Sequence, residues 1–474
     1  MSKLGPLEGG AIAERLRQFV QTLSEATCIQ LLEGLDKAAL AGNPVPGTEI
    51  IAAHLRTRLG DGVRKRPRPG TPSRLFFRIL EPMLIDEELL EKRPARIERS
   101  SLGALWVWLQ RTLIPEQTKA YEDACAQAIL IDDLEAAKAA ALEFQKHAIT
   151  AIRQAIDTEA TEVERRRMIS QLGGQRVFDD VKDILVIFEH RDALKALSDR
   201  VVGPIRSPDE AQIAFIGSSL TPYARSTRPS LLPYAAAIVM SKMVQPWLIV
   251  RVAATLCETD EARRIAETPY AALIELALTD IERMVVRATN ARRSLDTAKV
   301  LAAARDFSAY VRSVSSDIDP SSEHAWVRRL GHARGRMGEL LRTQVETLPG
   351  RVRWLIKPAA GDSKSSPAAD SQEIEAIELA LDILVLAKNH AAEFAMNEVT
   401  LRVHTDLQGL LDSGMNPLIE GARNAKGEDR DRRLVQLEAA VRIAAKIFGA
   451  NYAGLLQKAI EVATGSDKKP TKAA

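Results

Sequence analysis

From Glu116 to Leu172 the chain runs for 57 residues without one Gly or Pro. Strand-and-turn architectures need turn formers every few residues, so a run of this kind reads as helix. One helix of that length would span about 85 Å at 1.5 Å per residue. The run is therefore expected to break into two or three helices, near Asp132-Asp133 and near Thr158. Leu142, Ile149, Ile152 and Ile156 lie on one helical stripe, and Gly173-Gly174 ends the run. The next helix carries Val177, Val181, Ile184 and Phe188 on its inner face.

Composition extends this reading to the whole chain. Hydrophobic residues make up 46% of the 474, yet aromatics only 4%. The apolar share is rich in Ala, Leu and Ile. Ala and Leu favour helices most strongly and pack helix against helix without bulky rings. The expected fold class is all-α: multi-helix bundles, with solenoid-like helix pairs as an option in the middle and a C-terminal helical bundle after a flexible linker. The solenoid option rests on Pro233-Tyr-Ala-Ala-Ala-Ile238 and Pro269-Tyr-Ala-Ala-Leu-Ile274, 36 residues apart. Two unrelated Pro-started, Ala-rich helices would look the same.

Punctuation suggests the domain plan. Residues 1–113 form an N-terminal helical domain that contains a Pro- and Arg-rich loop. Residues 114–356 form a central helical domain, with a turn-rich connector over Ser218–Pro233. Residues 357–371, rich in Ala, Ser, Pro and Gly, read as a linker. Residues 372–464 form the C-terminal helices, one from Glu373 to about Val399 and a last long one from about Asp429. Leu434, Leu437, Val441, Ala444 and Phe448 are its seam, and Gly449 stops it. The tail 465–474 reads as disordered. The most apolar stretch, Leu231–Cys257, is interrupted by Lys242, Gln245, Pro246 and Arg251, so it reads as two buried helices rather than a membrane span. Met1–Gly10 has no apolar signal core. Cys28, Cys125 and Cys257 are isolated from one another and suit a reducing compartment. The expected location is cytoplasmic, with no membrane partner.

Motifs for chemistry are few, and each has a plainer explanation. His190-Arg191-Asp192 matches a kinase catalytic loop in three letters only. Leu197 stands where that loop needs Asn, and the triplet falls inside an amphipathic helix pattern. His332 lies among Gly331, Gly335 and Gly338, spaced neither for a dinucleotide turn nor for a phosphate loop. Glu143 with His147, and His390 with Glu393, could each share a helix face, but neither has the second half that a di-metal bundle needs. Glu189-His190 and Glu323-His324 are adjacent and diverge. No catalytic, cofactor or metal residue is assigned, and no cofactor is expected.

Two features remain. Between Arg56 and Arg78 stand Arg56, Arg58, Arg64, Lys65, Arg66, Arg68, Arg74 and Arg78 against one acid, Asp61. Guanidinium groups bind phosphates and carboxylates through two parallel hydrogen bonds. Arg64, Lys65, Arg66 and Arg68 are the candidate polyanion contacts, with Phe76 and Phe77 as stacking partners. Neutralisation by Glu81, Asp86, Glu87, Glu88 and Glu91 is the competing explanation. Trp106 and Trp108 are the candidate partner contacts. Two residues along a helix is about 200° around it, so one ring would be exposed unless the helix is buried all round.

With 65 basic and 63 acidic residues, the net charge of +2 excludes a surface that is basic throughout. The expected function is a non-catalytic scaffold or adaptor that contacts another protein or a second copy of itself. Nucleic-acid binding through the 56–78 stretch is the alternative, and an enzyme with an unrecognised site the third. If Arg64, Lys65, Arg66 and Arg68 hold duplex DNA, log affinity falls against log salt with a slope of about −3.6. Changing all four to Ala then abolishes binding. No binding of labelled DNA or RNA at low salt rejects this alternative.

Overall fold

The computed structural model describes residues 71–131, 133–157, 162–206, 208–225, 230–356 and 371–465, with short pieces between 23 and 55. Arg64, Lys65, Arg66 and Arg68, the linker residues 357–370 and the tail from 466 lie outside the described residues. The described chain is all-α and multi-helical. Its one pair of strands is two residues each, Leu84–Ile85 beside Ile97–Glu98 in parallel. In the early pieces, Cys28, Leu32, Leu35, Ala52 and Leu55 form a small apolar cluster.

Contacts divide the chain into two compact units, and the division falls at Arg200 and Val201. The sequence punctuation suggests divisions at 113/114 and over 357–371, and the contact pattern makes neither. The segment Glu87–Arg93 is the exception to chain order and counts with the second unit.

In the first unit, α1 (Pro72–Phe76) opens on Thr71, whose hydroxyl accepts from the Arg74 amide, with Pro72 at the first helical position. A 3-10 stretch Arg78–Met83 follows. Beyond the strand pair come α2 (Arg99–Trp108), extended by a π-helical turn over Leu109–Leu113, then α3 (Pro115–Leu130), α4 (Leu134–Asp157) and α5 (Glu162–Leu172). The first break falls between Leu130 and Leu134, where the sequence lacks Gly and Pro but turns polar; the break expected near Thr158 lies outside the described residues. Gly173 and Gly174, both at positive φ, end α5 and start α6 (Gln175–Glu189). Then comes α7 (Arg191–Arg200). His190 caps the junction of α6 and α7 and is not inside a helix.

The inner stripe of α4 differs from the one expected. Ala137, Ala141, Phe144, Ala148 and Ile152 are buried, whereas Leu142 is exposed. Ile152 is the one residue of the expected stripe that is fully buried, and Ile149 and Ile156 are half-buried.

The second unit runs through α8 (Glu210–Ala224), α9 (Leu232–Lys242), α10 (Ile249–Cys257), α11 (Ala262–Ala266), α12 (Ala271–Arg293), α13 (Thr297–Asp317) and α14 (His324–Ile356). It ends with α15 (Ser371–Asn389), α16 (Asn397–Asn424), α17 (Glu428–Phe448) and α18 (Ala450–Gly465). Helix α8 runs through the expected connector at Ser218 and holds Pro222 in its last turn. The helix expected to reach Val399 stops at Asn389, and a turn leads to α16. The two Pro-Tyr-Ala-Ala segments start helices of 11 and 23 residues. Residues Leu232 to Met240 of α9 are all buried, as an apolar helix inside a bundle should be. Among the described residues no helix is long and apolar enough to cross a membrane. Helix α14 packs on α12, α15 and α16. A side chain at Gly338 would collide with the carbonyl oxygen of Phe394, so this glycine lets the turn between α15 and α16 approach α14 closely; Gly331 and Gly335 face open space.

The polar centre of this unit is a buried charge cluster. Glu87 accepts from Arg283 Nε at 3.0 Å and Arg287 Nε at 2.8 Å. Arg283 also donates to Asp280 at 2.8 Å, and Tyr310 donates its hydroxyl to the other Asp280 oxygen at 3.0 Å. Burial opposes the Glu87 charge, but Arg283 and Arg287 outweigh it and hold the carboxyl below its ordinary value. A lowered folded-state pKa places this stabilisation above the ordinary glutamate range, and it is lost as pH falls through the folded value. Glu87→Ala leaves Arg283 with Asp280 alone as its carboxylate partner among the described residues and should cost about 1–3 kcal/mol in urea denaturation at pH 7. The gap to wild type should close on acidification. A loss below about 1 kcal/mol, the worth of an exposed pair, would show that Glu87 does not hold the segment.

Candidate functional site

A hollow of about 530 Å³ in the first unit is lined by Ser73, Arg74, Phe77, Glu81, Arg99, Leu102, Gly103 and Trp106. One wall comes from α1 and its 3-10 extension, the other from α2. Sequence gives no reason for these walls to meet; four tertiary contacts bring them together.

Aromatic packing supplies the first. Phe76 is fully buried, with the rings of Phe144 and Phe188 each at 5.1 Å and Trp106 at 5.5 Å. Tyr121 stacks on Phe144 at 4.7 Å, and Trp106 meets Tyr121 edge-on. These rings fix the inner edge of Trp106 while the rest of its half-buried side chain lines the hollow. Two backbone clamps hold α1. The Tyr121 hydroxyl donates to the Pro72 carbonyl at 2.7 Å, and Gln145 donates to the Phe76 carbonyl at 2.6 Å. Burial raises the Tyr121 pKa, so it stays a protonated donor. Arg191, the middle residue of the kinase-like triplet, donates to Gln145 at 3.0 Å and to the Leu142 carbonyl at 3.1 Å. Its role is to orient that glutamine.

The fourth contact sets the start of α2. Ser100 or Ser101 is the local capping choice by sequence, but the helix begins at Arg99 and Glu98 makes no side-chain cap. Asp180, fully buried on α6, replaces it. Its carboxylate accepts from the Glu98 amide at 3.1 Å and the Ser101 hydroxyl at 2.7 Å. Arg176 pairs with the Glu98 side chain at 3.2 Å. The cap therefore lies about eighty positions away in the chain, beyond the reach of any local signal.

The charges in the hollow are unequal. Arg99 donates to Asp86 at 2.9 Å and lies 3.5 Å from Glu81. Burial works against its charge, but the two carboxylates dominate and raise its pKa. Arg74 is exposed and has no carboxylate partner among the described residues. The site thus offers one available guanidinium, an aromatic wall from Trp106 and Phe77, and an open floor at Gly103, where an added Cβ meets nothing within 4 Å.

The sequence candidates separate here. Trp106 lines the hollow. Trp108 is 4% exposed on the other side of α2, and its indole N–H finds no acceptor among the described residues. The outward residue between them is Val107, at 43%. Arg74 joins Trp106, while the other members of the basic stretch lie outside the described residues, except Arg78, which is exposed. Ser73, Glu81, Arg99 and Gly103 carry no sequence signal; only the pairing of α1 with α2 selects them.

The metal-like pairs do not converge. Glu143 and His147 are exposed, and Lys146 pairs with Glu143 at 2.8 Å. His390 lies 3.6 Å from Glu393, with Arg312 against both. Among the described residues, no three His, Cys, Asp or Glu side chains are grouped to hold a metal ion. The chain matches no protein-family model, no curated protein and no solved structure.

The remote cap gives a direct test. Asp180→Ala should lower stability by about 1–3 kcal/mol, the cost of two lost bonds and an unpaired buried amide. Asp192→Ala, at a 93% exposed side chain, should change it by less than about 0.5 kcal/mol. Equal urea midpoints for both variants would show that Asp180 does not cap α2.

Proposed function

We propose that the protein is a non-catalytic cytoplasmic adaptor that receives a side chain of a partner protein in the Arg74–Trp106 hollow. The observation that carries this is the combination of an aromatic wall and a guanidinium with no carboxylate partner among the described residues, around a preformed opening. Trp and Arg supply much of the energy at protein interfaces when they sit in pockets that exclude water. Preorganisation favours the same reading, because α1 and α2 are clamped by side chains of α3, α4 and α6 and lose little freedom on binding.

Nucleic-acid binding is the second reading. The observation that favours it is that Arg74, from the basic stretch 56–78, opens onto the same hollow as Trp106. A base on the indole with a phosphate on Arg74 would be chemically sound.

Gly103→Gln separates these ideas from a purely structural role. Gly103 is exposed and helical, so Gln should leave the fold intact and raise stability by up to about 1 kcal/mol. Its side chain would fill the hollow. In affinity capture from native lysate, the wild-type chain should retain proteins that survive nuclease, and both Gly103→Gln and Arg74→Glu should lose them. Capture unaffected by either substitution rejects the hollow as the docking site. Capture that disappears with nuclease selects the second reading.

A further inference from the structure

A second surface, wholly within the second unit, has a different chemistry. Arg292 and Arg293 stand in the last turn of α12 and Arg336 in the middle of α14. With Leu340 they line an open hollow of about 430 Å³. Arg336 also lines a neighbouring hollow of about 230 Å³, whose walls include Leu90, Val286 and His332 and two acids already paired with arginines, Glu91 with Arg93 and Glu282 with Arg329. The shared arginine joins the two into one groove between α12 and α14.

Charge pairing along these two helices is uneven. Arg283, Arg287, Arg329 and Arg342 each have a carboxylate within 3.9 Å. Arg292, Arg293 and Arg336 have none among the described residues, and all three are exposed. Arg328, Arg334 and Arg353 of α14 also have no ion-pair partner among the described residues, but Arg292, Arg293 and Arg336 converge on one hollow. A cation in the last turn complements the helix dipole, which accounts for Arg292 and Arg293 in part. Arg336 is mid-helix and has no such role. Glu339, the one carboxylate lining this hollow, lies 3.9 Å from Arg342.

Apolar exposure accompanies the charge. Leu90 is 85% exposed at one end of the groove. Leu295, two residues beyond Arg293, is 89% exposed and held at φ 58°. Left-handed backbone favours Gly or Asn, so a leucine there is held against local preference with its side chain in water. A small inorganic anion would use the arginines and leave these leucines wet. A ligand with carboxylates on one side and aliphatic groups on the other would use both.

We propose that this groove docks an acidic amphipathic segment of a partner protein. Its carboxylates meet Arg292, Arg293 and Arg336, and its apolar residues lie along the Leu90 end. The inference adds a second contact to the adaptor reading. Its test does not involve the Trp106 hollow, so either can fail alone.

The probe is a fluorescein-labelled, helix-forming peptide with Leu along one face and Glu on the rest, titrated with the full chain at two salt concentrations. One control peptide replaces Glu with Lys. Another keeps the composition but disperses the leucines around the helix. The acidic amphipathic peptide should bind saturably and more weakly at high salt. Its affinity should fall roughly tenfold or more in the variant Arg292→Glu/Arg293→Glu/Arg336→Glu, and by less in Arg336→Gln, with melting unchanged in both. The Lys peptide should not bind, and the dispersed peptide should bind more weakly. The proposal is overturned if the acidic peptide fails to bind at low salt, if charge reversal leaves its affinity unchanged, or if the dispersed peptide binds equally well. Displacement by a single-stranded oligonucleotide as readily as by unlabelled peptide would overturn it in favour of a general polyanion site. A groove that fails while Gly103→Gln still blocks partner capture leaves the adaptor reading standing.

Discussion

Every helix ends in backbone groups that its own turns cannot pair, and this chain satisfies several of them with buried polar side chains from distant helices. Asp180 on α6 takes the amide at the start of α2. Gln145 on α4 donates to the carbonyl that closes α1. Gln436 on α17 donates to the Leu355 carbonyl in the last turn of α14. A protein with almost no sheet has few other ways to fix where one helix stops against another. Apolar faces can slide or rotate with little penalty, whereas a buried carbonyl or amide has one place for its partner.

The Arg74–Trp106 hollow follows from that constraint. Asp180 sets the first turn of α2 and so the positions of Arg99, Gly103 and Trp106. Gln145 and Tyr121 set α1 and so the positions of Ser73, Arg74 and Phe77. Arg191 sets Gln145 in turn. Apart from Trp106 and Phe77, which do both, the residues that line the hollow differ from those that position its walls, which come from helices far apart in the chain.

Arginine does two kinds of work in the second unit. Where α12 meets Glu87, Arg283 is mostly buried between Glu87 and Asp280, and the more exposed Arg287 takes the other Glu87 oxygen. Arg329 is held likewise between Glu275 and Glu282, with Trp326 donating to Glu275 and Thr279 accepting from Arg329. Further along the same helices Arg292, Arg293 and Arg336 face solvent with no such partner among the described residues. Since the overall charge is nearly balanced, the contrast lies in how acids are distributed. They are concentrated where the helices must be locked.

The amino-acid sequence by itself determined that this chain is helical. Helix formers, 3-4 spacing and the long run without Gly or Pro are local properties, and a local interaction decides helix against strand. It also marked the break between Leu130 and Leu134, the stop at Gly449, and Trp106 and Arg74 as residues of interest. Only the tertiary structure decided the division at Arg200 and Val201, the true inner face of α4 and the end of α15. It alone showed that Trp106 and Arg74 share a hollow while Trp108 is buried elsewhere. The reason is one of range. Spacing reports which residues share a helix face but not what that face meets. The partners that matter here, Asp180 for Glu98, Gln145 for Phe76 and Glu87 for Arg283, are separated by tens to hundreds of residues, and nothing local encodes a bond of that length.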